Sequence, residues 1–284
     1  MNPASRRGAE SELAALRAFR AAGVSCRVVH TGRRGDTAAL ARERGNDCDA
    51  IFTLGGDGTA MEAISALAGT NRPVAILAGG TGNQLARYLR TPLAIGRAVR
   101  ALLDGRTERM DLGRLADGRH FALSAGFGMD AEMLSGASES AKKRFGVGAY
   151  LWSGARALLR NGRIHVRATV DGVRYERECA VAMIVNVGAF FGGRVAAGPG
   201  VRADDGLLDL CLYSAKSSLE GMDVVRRCVM HDFRPHPNLL FARGREIGLE
   251  TDPPSVAQAD GEILGVVSLQ ASSSPQAALV LRAR

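Results

Sequence analysis

Residues 55–59 read Gly-Gly-Asp-Gly-Thr and residues 79–83 read Gly-Gly-Thr-Gly-Asn, and these are the segments whose residue types and spacing point most directly to chemistry. Glycines let backbone N–H groups approach an anion with no Cβ in the way, and a helix that follows presents its positive N-terminus. The first segment sits between an apolar run at 50–54 and a helix-like stretch at 60–68. The second follows the apolar residues 73–78 and leads into Gln84-Leu85-Ala86-Arg87. In an open parallel sheet the loops at the carboxyl ends of the strands converge, so two such units in succession predict one nucleotide cleft. Thr59 and Glu62 read as a capping box ahead of Met61, Ile64 and Leu67. Asp57 is the odd member, because a carboxylate at a phosphate site repels its ligand unless it holds a metal ion, a ribose hydroxyl or a proton. The alternative for the whole pentapeptide is a Gly-rich strand-to-helix turn with Asp57 chosen for turn chemistry. A Walker-type site is excluded: the chain has no G-x-x-x-x-G-K-[ST], no Gly-Lys dipeptide, and no G-x-G-x-x-G after a strand.

The elements that must position these residues alternate over the first ~110 residues, a length typical of one domain. Helical spacing covers residues 9–22, with Leu13, Leu16 and Phe19 on one face, and again 36–44, 60–68 and 84–89. Strand patterns cover 24–29, 50–54 and 73–78, and Thr91-Pro92 reads as the N-cap and first residue of a helix that Gly105 closes. Such alternation predicts an α/β domain with a parallel sheet. After Asp111 the pattern changes to strands meeting at Asp117-Gly118, Asp171-Gly172 and Asp260-Gly261 hairpin turns, which predicts a β-rich antiparallel second domain, a sandwich, over 114–274. Residues 1–113 form the first domain, and the last apolar stretch, 277–281, returns to it within 275–284. One helix is expected at 148–160, and Ser272-Ser273-Ser274-Pro275 reads as a short linker. The chain opens on Asn2-Pro3, a turn pair, where the alternation calls for a strand, so the natural start is expected upstream of Met1.

Composition bounds the setting. The 284 residues carry a net charge of +8, and only three of the 37 basic residues are lysines. An arginine excess suits bidentate phosphate contacts, and equally reflects GC-rich coding. Five cysteines (Cys26, Cys48, Cys179, Cys211, Cys228) are scattered, with no C-x-x-C pair, which argues for a reducing compartment. No apolar run approaches the ~18 residues of a membrane helix. A cytoplasmic protein is expected, with peripheral membrane contact through Lys142-Lys143-Arg144 beside Phe145, Tyr150 and Trp152 as one reading of that cluster; a solvated helix face is the other. Cys228, His231 and His236 have metal-ligand composition, yet their neighbourhood reads as a helix end followed by a Pro-rich loop.

Taken together, Gly-Gly-Asp-Gly-Thr, Gly-Thr-Gly-Asn-x-x-Ala-Arg (80–87) and Asp111-Leu112-Gly113 resemble the diacylglycerol kinase catalytic domain, whose superfamily includes sphingosine kinases and bacterial YegS/DgkB-like lipid kinases. The resemblance continues in order through Asn2-Pro3-x-Ser5, residues 125–130, Asp205-Gly206-Leu207-Leu208-Asp209 and Asp260-Gly261-Glu262. It implies an ATP- and Mg²⁺-dependent transfer of phosphate to a hydroxyl of a diacylglycerol-like or sphingoid lipid, at a site between the two domains. By motif, Gly55, Gly56, Asp57, Gly58, Thr59, Gly80, Thr81 and Asn83 would contact ATP, with Thr31 on the adenine side. Asp57 would also position the Mg²⁺–phosphate, Glu262 would be the general base, and Asp260 would stand beside it. Arg202, Asp205 and Leu207 would hold a structural Mg²⁺, the first and last through backbone carbonyls. Without the resemblance, Asp205 and Asp209 read as turn and strand-end residues and Glu262 as a charge after a hairpin. The chain departs from the family pattern at Arg6 (usually glycine), at Gln84 (usually aspartate) and at Ala78-Gly79, where proline is usual. Expected partners are ATP, a lipid acceptor, a transient membrane-surface contact and a second copy in a homodimer, with no nucleic acid. NAD kinase is the nearest alternative, disfavoured because its second motif is absent; a non-catalytic nucleotide- or lipid-binding protein is the other.

Overall fold

The computed structural model describes residues 8–33, 35–128 and 163–284. The chain divides into two compact units, residues 1–111 with 275–284 and residues 112–274. In the first unit come helix α1 (Gly8–Ala21), α2 (Asp36–Arg44), strand β1 (Ile51–Gly55), α3 (Asp57–Ala66), β2 (Val74–Ala78), α4 (Gln84–Tyr88) and α5 (Ile95–Leu103). Strand β3 (Arg106–Leu115) follows. β1 and β2 pair in parallel from Ile51↔Val74 to Gly55↔Ala78, so both deliver their glycine loops at the same sheet edge. α5 shows why its sequence is helical and docked: Ile95, Ala98, Val99 and Leu102 recur at i, i+3, i+4 and i+7, and all are buried. They meet Ala15, Ala18 and Phe19 of α1, and Leu54 and Leu77 of the strands, in one core. Phe19 packs edge-on to Phe52, ring centroids 4.9 Å apart.

The second unit is antiparallel. Its strands are β4 (His120–Phe121), β5 (Ser124–Phe127), β6 (Ile164–Val170), β7 (Val173–Cys179), β8 (Val181–Val185), β9 (Ala189–Phe190), β10 (Val195–Ala196) and β11 (Leu208–Tyr213). Helix α6 (Ser218–Met230) precedes β12 (Leu239–Gly244), β13 (Glu246–Asp252), β14 (Val256–Ala259), β15 (Glu262–Val266) and β16 (Leu269–Arg282). One layer runs β12-β11-β8-β5-β14-β15. The facing layer pairs β7 with β6, β6 with β13 and β13 with the start of β16. Val166, Ala168, Ile247 and Leu249 from one layer share a core with Phe127, Ile184, Leu210 and Leu212 from the other. Burial along β6 alternates, which is how a strand in a sandwich presents one face inward. The three Asp-Gly pairs expected as turns, at 117–118, 171–172 and 260–261, lie at the β3–β4, β6–β7 and β14–β15 hairpins.

Several expected elements differ. Residues 24–29 form no strand, and Val24 and Val29 are exposed. α5 begins at Ile95 rather than Pro92, because the chain is still leaving α4 there: Thr91 N–H donates to Ala86 O at 2.8 Å and Arg90 sits at φ 57°. Residues 272–275 are no linker but the middle of β16, where Ser272 pairs with Glu246 and Ser273 N–H donates to Arg245 O at 2.8 Å. The end of β16 pairs in parallel with β2 at Val280↔Val74. The capping box is also absent. α3 starts three residues earlier, at Asp57 with Gly56 as N-cap, so Thr59 lies inside the first turn. Glu62 Oε1 instead accepts from Gly35 N–H at 3.0 Å. The expected helix at 148–160, the basic cluster at 142–144 and the Asn2-Pro3 opening lie outside the described residues.

Candidate active site

The two glycine segments pack backbone to backbone. Gly79 N–H donates to Gly55 O at 2.8 Å, and a Cβ placed on Gly80 would stand 2.5 Å from Gly56 Cα. Only glycine permits that approach, which explains the residue type here independently of any anion. Asp57, in the first turn of α3, reaches across to the second loop: its Oδ1 accepts from Leu85 N–H at 3.0 Å. Its Oδ2 faces Gly82, 3.0 Å from where a Cβ on that residue would be. The carboxylate therefore ties the start of α3 to the start of α4. Asn83 locks the second loop onto itself, its Oδ1 accepting from Gly80 N–H (2.9 Å) and its Nδ2 donating to Gly80 O (2.6 Å). The lock requires the left-handed backbone at Asn83, φ 50°, a conformation asparagine tolerates better than most residues. Arg87 Nε adds a contact to Gly82 O at 3.3 Å. Gly58 and Thr81 are exposed, Thr31 and Gln84 are buried, and Gly56, Asp57 and Thr59 are half-buried. A half-buried carboxylate beside two amide-rich loops is a fitting donor for a Mg²⁺ ion carried on phosphate oxygens.

In the second unit Asp260 and Glu262 flank the β14–β15 turn. Asp260 and Gly261 both have positive φ, 48° and 85°, the geometry of a type I′ hairpin. The Asp260 carboxylate accepts from three consecutive amides, Ala122 (2.7 Å), Leu123 (2.9 Å) and Ser124 (3.0 Å), and its own N–H donates to Ser124 O. Gly261 N–H is held by Gln258 Oε1 at 2.7 Å. Asp260 thus anchors the turn that leads into Glu262, the first residue of β15, opposite Ala259. Arg119, whose pKa is raised chiefly by its bond to Asp117, lies within the field of Glu262. Sequence reasoning missed Arg119 and Gln258; the neighbourhood of the Asp260 turn was the available signal, but their reach is set by the β3–β4 and β14–β15 registers.

The third predicted group, Arg202, Asp205 and Leu207, lies in the connection before β11. Leu207 N–H donates to Asp205 Oδ1 at 3.1 Å, and Arg202 turns outward to pair with Asp204 at 2.8 Å. Arg243, on the neighbouring strand β12, takes up the rest. Its Nη1 lies 3.7 Å from Asp205 Oδ2, its Nε 2.8 Å from Asp209 Oδ1, and its Nη2 donates to Gly200 O at 2.8 Å. Burial pushes the Asp209 carboxyl up, and the Arg243 guanidinium pulls it back. Both Asp205 oxygens are thereby engaged, one by an amide and one by a cation. Among the described residues no group of three or more His, Cys, Asp or Glu side chains could hold a metal. Cys228, the start of the other metal-like spacing, is on the buried face of α6, and its thiol is pushed up to about 11 by that burial.

The diacylglycerol kinase catalytic domain matches residues 1–115, and the YegS C-terminal NAD kinase beta sandwich-like domain matches residues 123–282. A Pseudomonas fluorescens (strain Pf-5) protein named "Probable lipid kinase YegS-like" is 32% identical over 255 residues, 86% of this chain and 84% of that one. A diacylglycerol kinase of Staphylococcus carnosus (strain TM300) is 24% identical over 247 residues, 86% of this chain and 80% of that one. An uncharacterized Synechocystis protein is 28% identical over 230 residues, 80% of this chain but only 53%, about half, of its own length. A solved chain from Bacillus anthracis str. Sterne superposes with a TM-score of 0.80 at 25% identity, covering 99% of this chain and 93% of that one. The two domain matches and these relatives show that the chain belongs to the diacylglycerol kinase catalytic-domain family, with the YegS-type second domain, and is a kinase of that family.

Proposed function

We propose that the chain transfers the γ-phosphate of ATP to a hydroxyl of a diacylglycerol-like or sphingoid lipid, with Mg²⁺ as the metal. The observation that carries this reading is the glycine-loop pair, held backbone to backbone and tied by Asp57. Phosphoryl transfer needs positioning and charge neutralisation more than covalent chemistry. The loops of Gly55, Gly56, Gly58, Gly80 and Thr81 supply small residues and amides for the phosphates, and Thr59 lines the first turn above them. Asn83 acts on ATP through the loop it locks, and Thr31 takes the adenine side. Mg²⁺, when bound, neutralises phosphate charge, and the Asp57 carboxylate is the group that holds it in place. In the second unit Glu262 takes the proton of the lipid hydroxyl as its oxygen bonds to the γ-phosphorus; the bond to the β-phosphate oxygen breaks and ADP leaves. Asp260 fixes the turn from which Glu262 projects. Lipid recognition is supported by the name of the Pseudomonas relative and of the Staphylococcus relative.

The test is transfer of label from γ-labelled ATP into a lipid panel by the wild type, Asp57→Ala and Glu262→Gln. Both variants are expected to lose at least about a hundredfold in rate. Full activity in either removes that residue from its role.

A further inference from the structure

We infer that Gln258 and Ser124 form a polar subsite for the acceptor, an assignment that rests on the lipid kinase reading above. Together they hydrogen-bond a neutral carbonyl oxygen next to the reacting hydroxyl, so the acceptor is an acyl lipid, an ester or amide, rather than a free sphingoid base. Both side chains belong to the sheet face opposite the sandwich core. Gln258 pairs with Gly126 and Ala259 with Ala125, so Ser124 falls opposite Asp260. Ala125, Phe127, Ala257 and Ala259 occupy the core on the other face. The Gln258 side chain leans toward the turn, where its Oε1 accepts from Gly261 N–H at 2.7 Å. Ser124 lies in that same direction, its carbonyl accepting from Asp260 N–H at 2.9 Å. The amide and the hydroxyl therefore stand beside the turn that leads into Glu262.

What the two side chains offer follows from the bonds they already make. Gln258 is 6% exposed and Ser124 0%, so each is more than nine-tenths buried. Its bond to Gly261 N–H commits Gln258 Oε1, and the group left over is the Nε2 donor. Neither Nε2 nor Ser124 Oγ has a hydrogen-bond partner within the protein. Buried polar groups of that kind are rare and costly unless a bound group meets them. A carbonyl oxygen has two lone pairs, one for each donor, and carries no charge to be desolvated. A sphingoid ammonium would instead face the Nε2 donor with nothing to accept from it. Met183 and Val185, register partners of Gly126 and Ser124, continue the same face as buried apolar side chains suited to an acyl chain.

The experiment compares label transfer from γ-labelled ATP to a 1,2-diacylglycerol and to the 1,2-dialkylglycerol of equal chain length, which keeps the hydroxyl and lacks both carbonyls. The wild type is expected to favour the diacyl lipid about tenfold in kcat/KM, as for one or two neutral hydrogen bonds, and to label a free sphingoid base less still. Gln258→Met and Ser124→Ala should each shrink the diacyl preference, and the double variant should bring it close to parity, with KM for ATP unchanged. Gln258→Met also frees the turn, so its rate falls on both lipids, and the ratio between them is the readout. A ratio that stays at the wild-type value in the variants shows a structural role only and overturns the inference. So does a wild type that ignores the carbonyls or prefers the sphingoid base. Should Gln258→Met not fold, Ser124→Ala decides by the same ratio. Glu262→Gln should lose transfer to both lipids alike, so a failure of the base is seen apart from a failure of the subsite. A wild type that labels none of these lipids overturns both.

Discussion

At the scale of single residues, Asp57 carries two functions that can be separated by substitution. As a tie it needs only an acceptor for Leu85 N–H, which an asparagine oxygen provides; as a metal group it needs its charge. Asp57→Asn is therefore expected to keep its thermal midpoint while transfer falls about a hundredfold, and Asp57→Ala to lose both, with a stability cost of about 1 kcal/mol. A melt alongside the rate assay tells the two apart. Asn83 differs in that both ends of its amide are used on Gly80. Asn83→Ala should raise KM for ATP about tenfold with a smaller change in kcat, because it loosens the loop rather than removing a reacting group. A variant with unchanged KM would show that the lock does not shape the nucleotide site.

At the scale of elements, the glycines report close approaches that no side chain can enter. Gly113 of the Asp111-Leu112-Gly113 motif lies directly under its cross-strand partner Phe121, whose ring carbon would be 2.0 Å from a Cβ. Gly113→Ala is expected to destabilise by about 1–3 kcal/mol through overpacking, read as a lower midpoint. Its neighbour in the same hairpin, His120, has a pKa lowered by burial and then by Arg114 across the strand pair. The unfolded chain takes up that proton first, so the fold should lose stability as pH drops below about 6.5 and gain nothing from this group above it. His120→Gln should flatten that slope in denaturant titrations, and an unchanged slope would assign it to other groups.

These elements also mark what the sequence made legible. Helical spacing placed α2, and Asp-Gly dipeptides placed three hairpins, because period and turn chemistry are local. The start of α3 was not legible: Thr59 and Glu62 have capping-box spacing, but the glycine turn lets the helix begin at Asp57 and leaves Glu62 for Gly35. The serine run at 272–274 resembles a linker in composition, yet pairing with β13 makes it strand. Asp260 and Arg243 owe their partners to strand registers across long sequence separations, which no spacing in one chain displays.

At the scale of the whole molecule, the proposed roles divide between the units, with Asp57 in the first and Glu262 in the second, while the chain passes between units within β3 and again within β16. The net charge of +8 favours anionic surfaces, and no described helix is long and apolar enough to cross a membrane. Sedimentation with phosphatidylglycerol vesicles should pull the protein down at low ionic strength and release it as salt approaches ~0.15 M, where the screening length is about 8 Å. Salt-insensitive binding would indicate apolar insertion instead. If transfer needs Mg²⁺, excess chelator should stop catalysis. The central claim is that Glu262 and the glycine loops together phosphorylate a lipid hydroxyl. Its most direct measurement is label transferred from γ-labelled ATP into the solvent-extractable lipid fraction by wild type and by Glu262→Gln. The account predicts Mg²⁺-dependent labelling by the wild type and a loss of at least about a hundredfold in the variant; equal labelling by both, or none by a wild type that binds ATP, would contradict it.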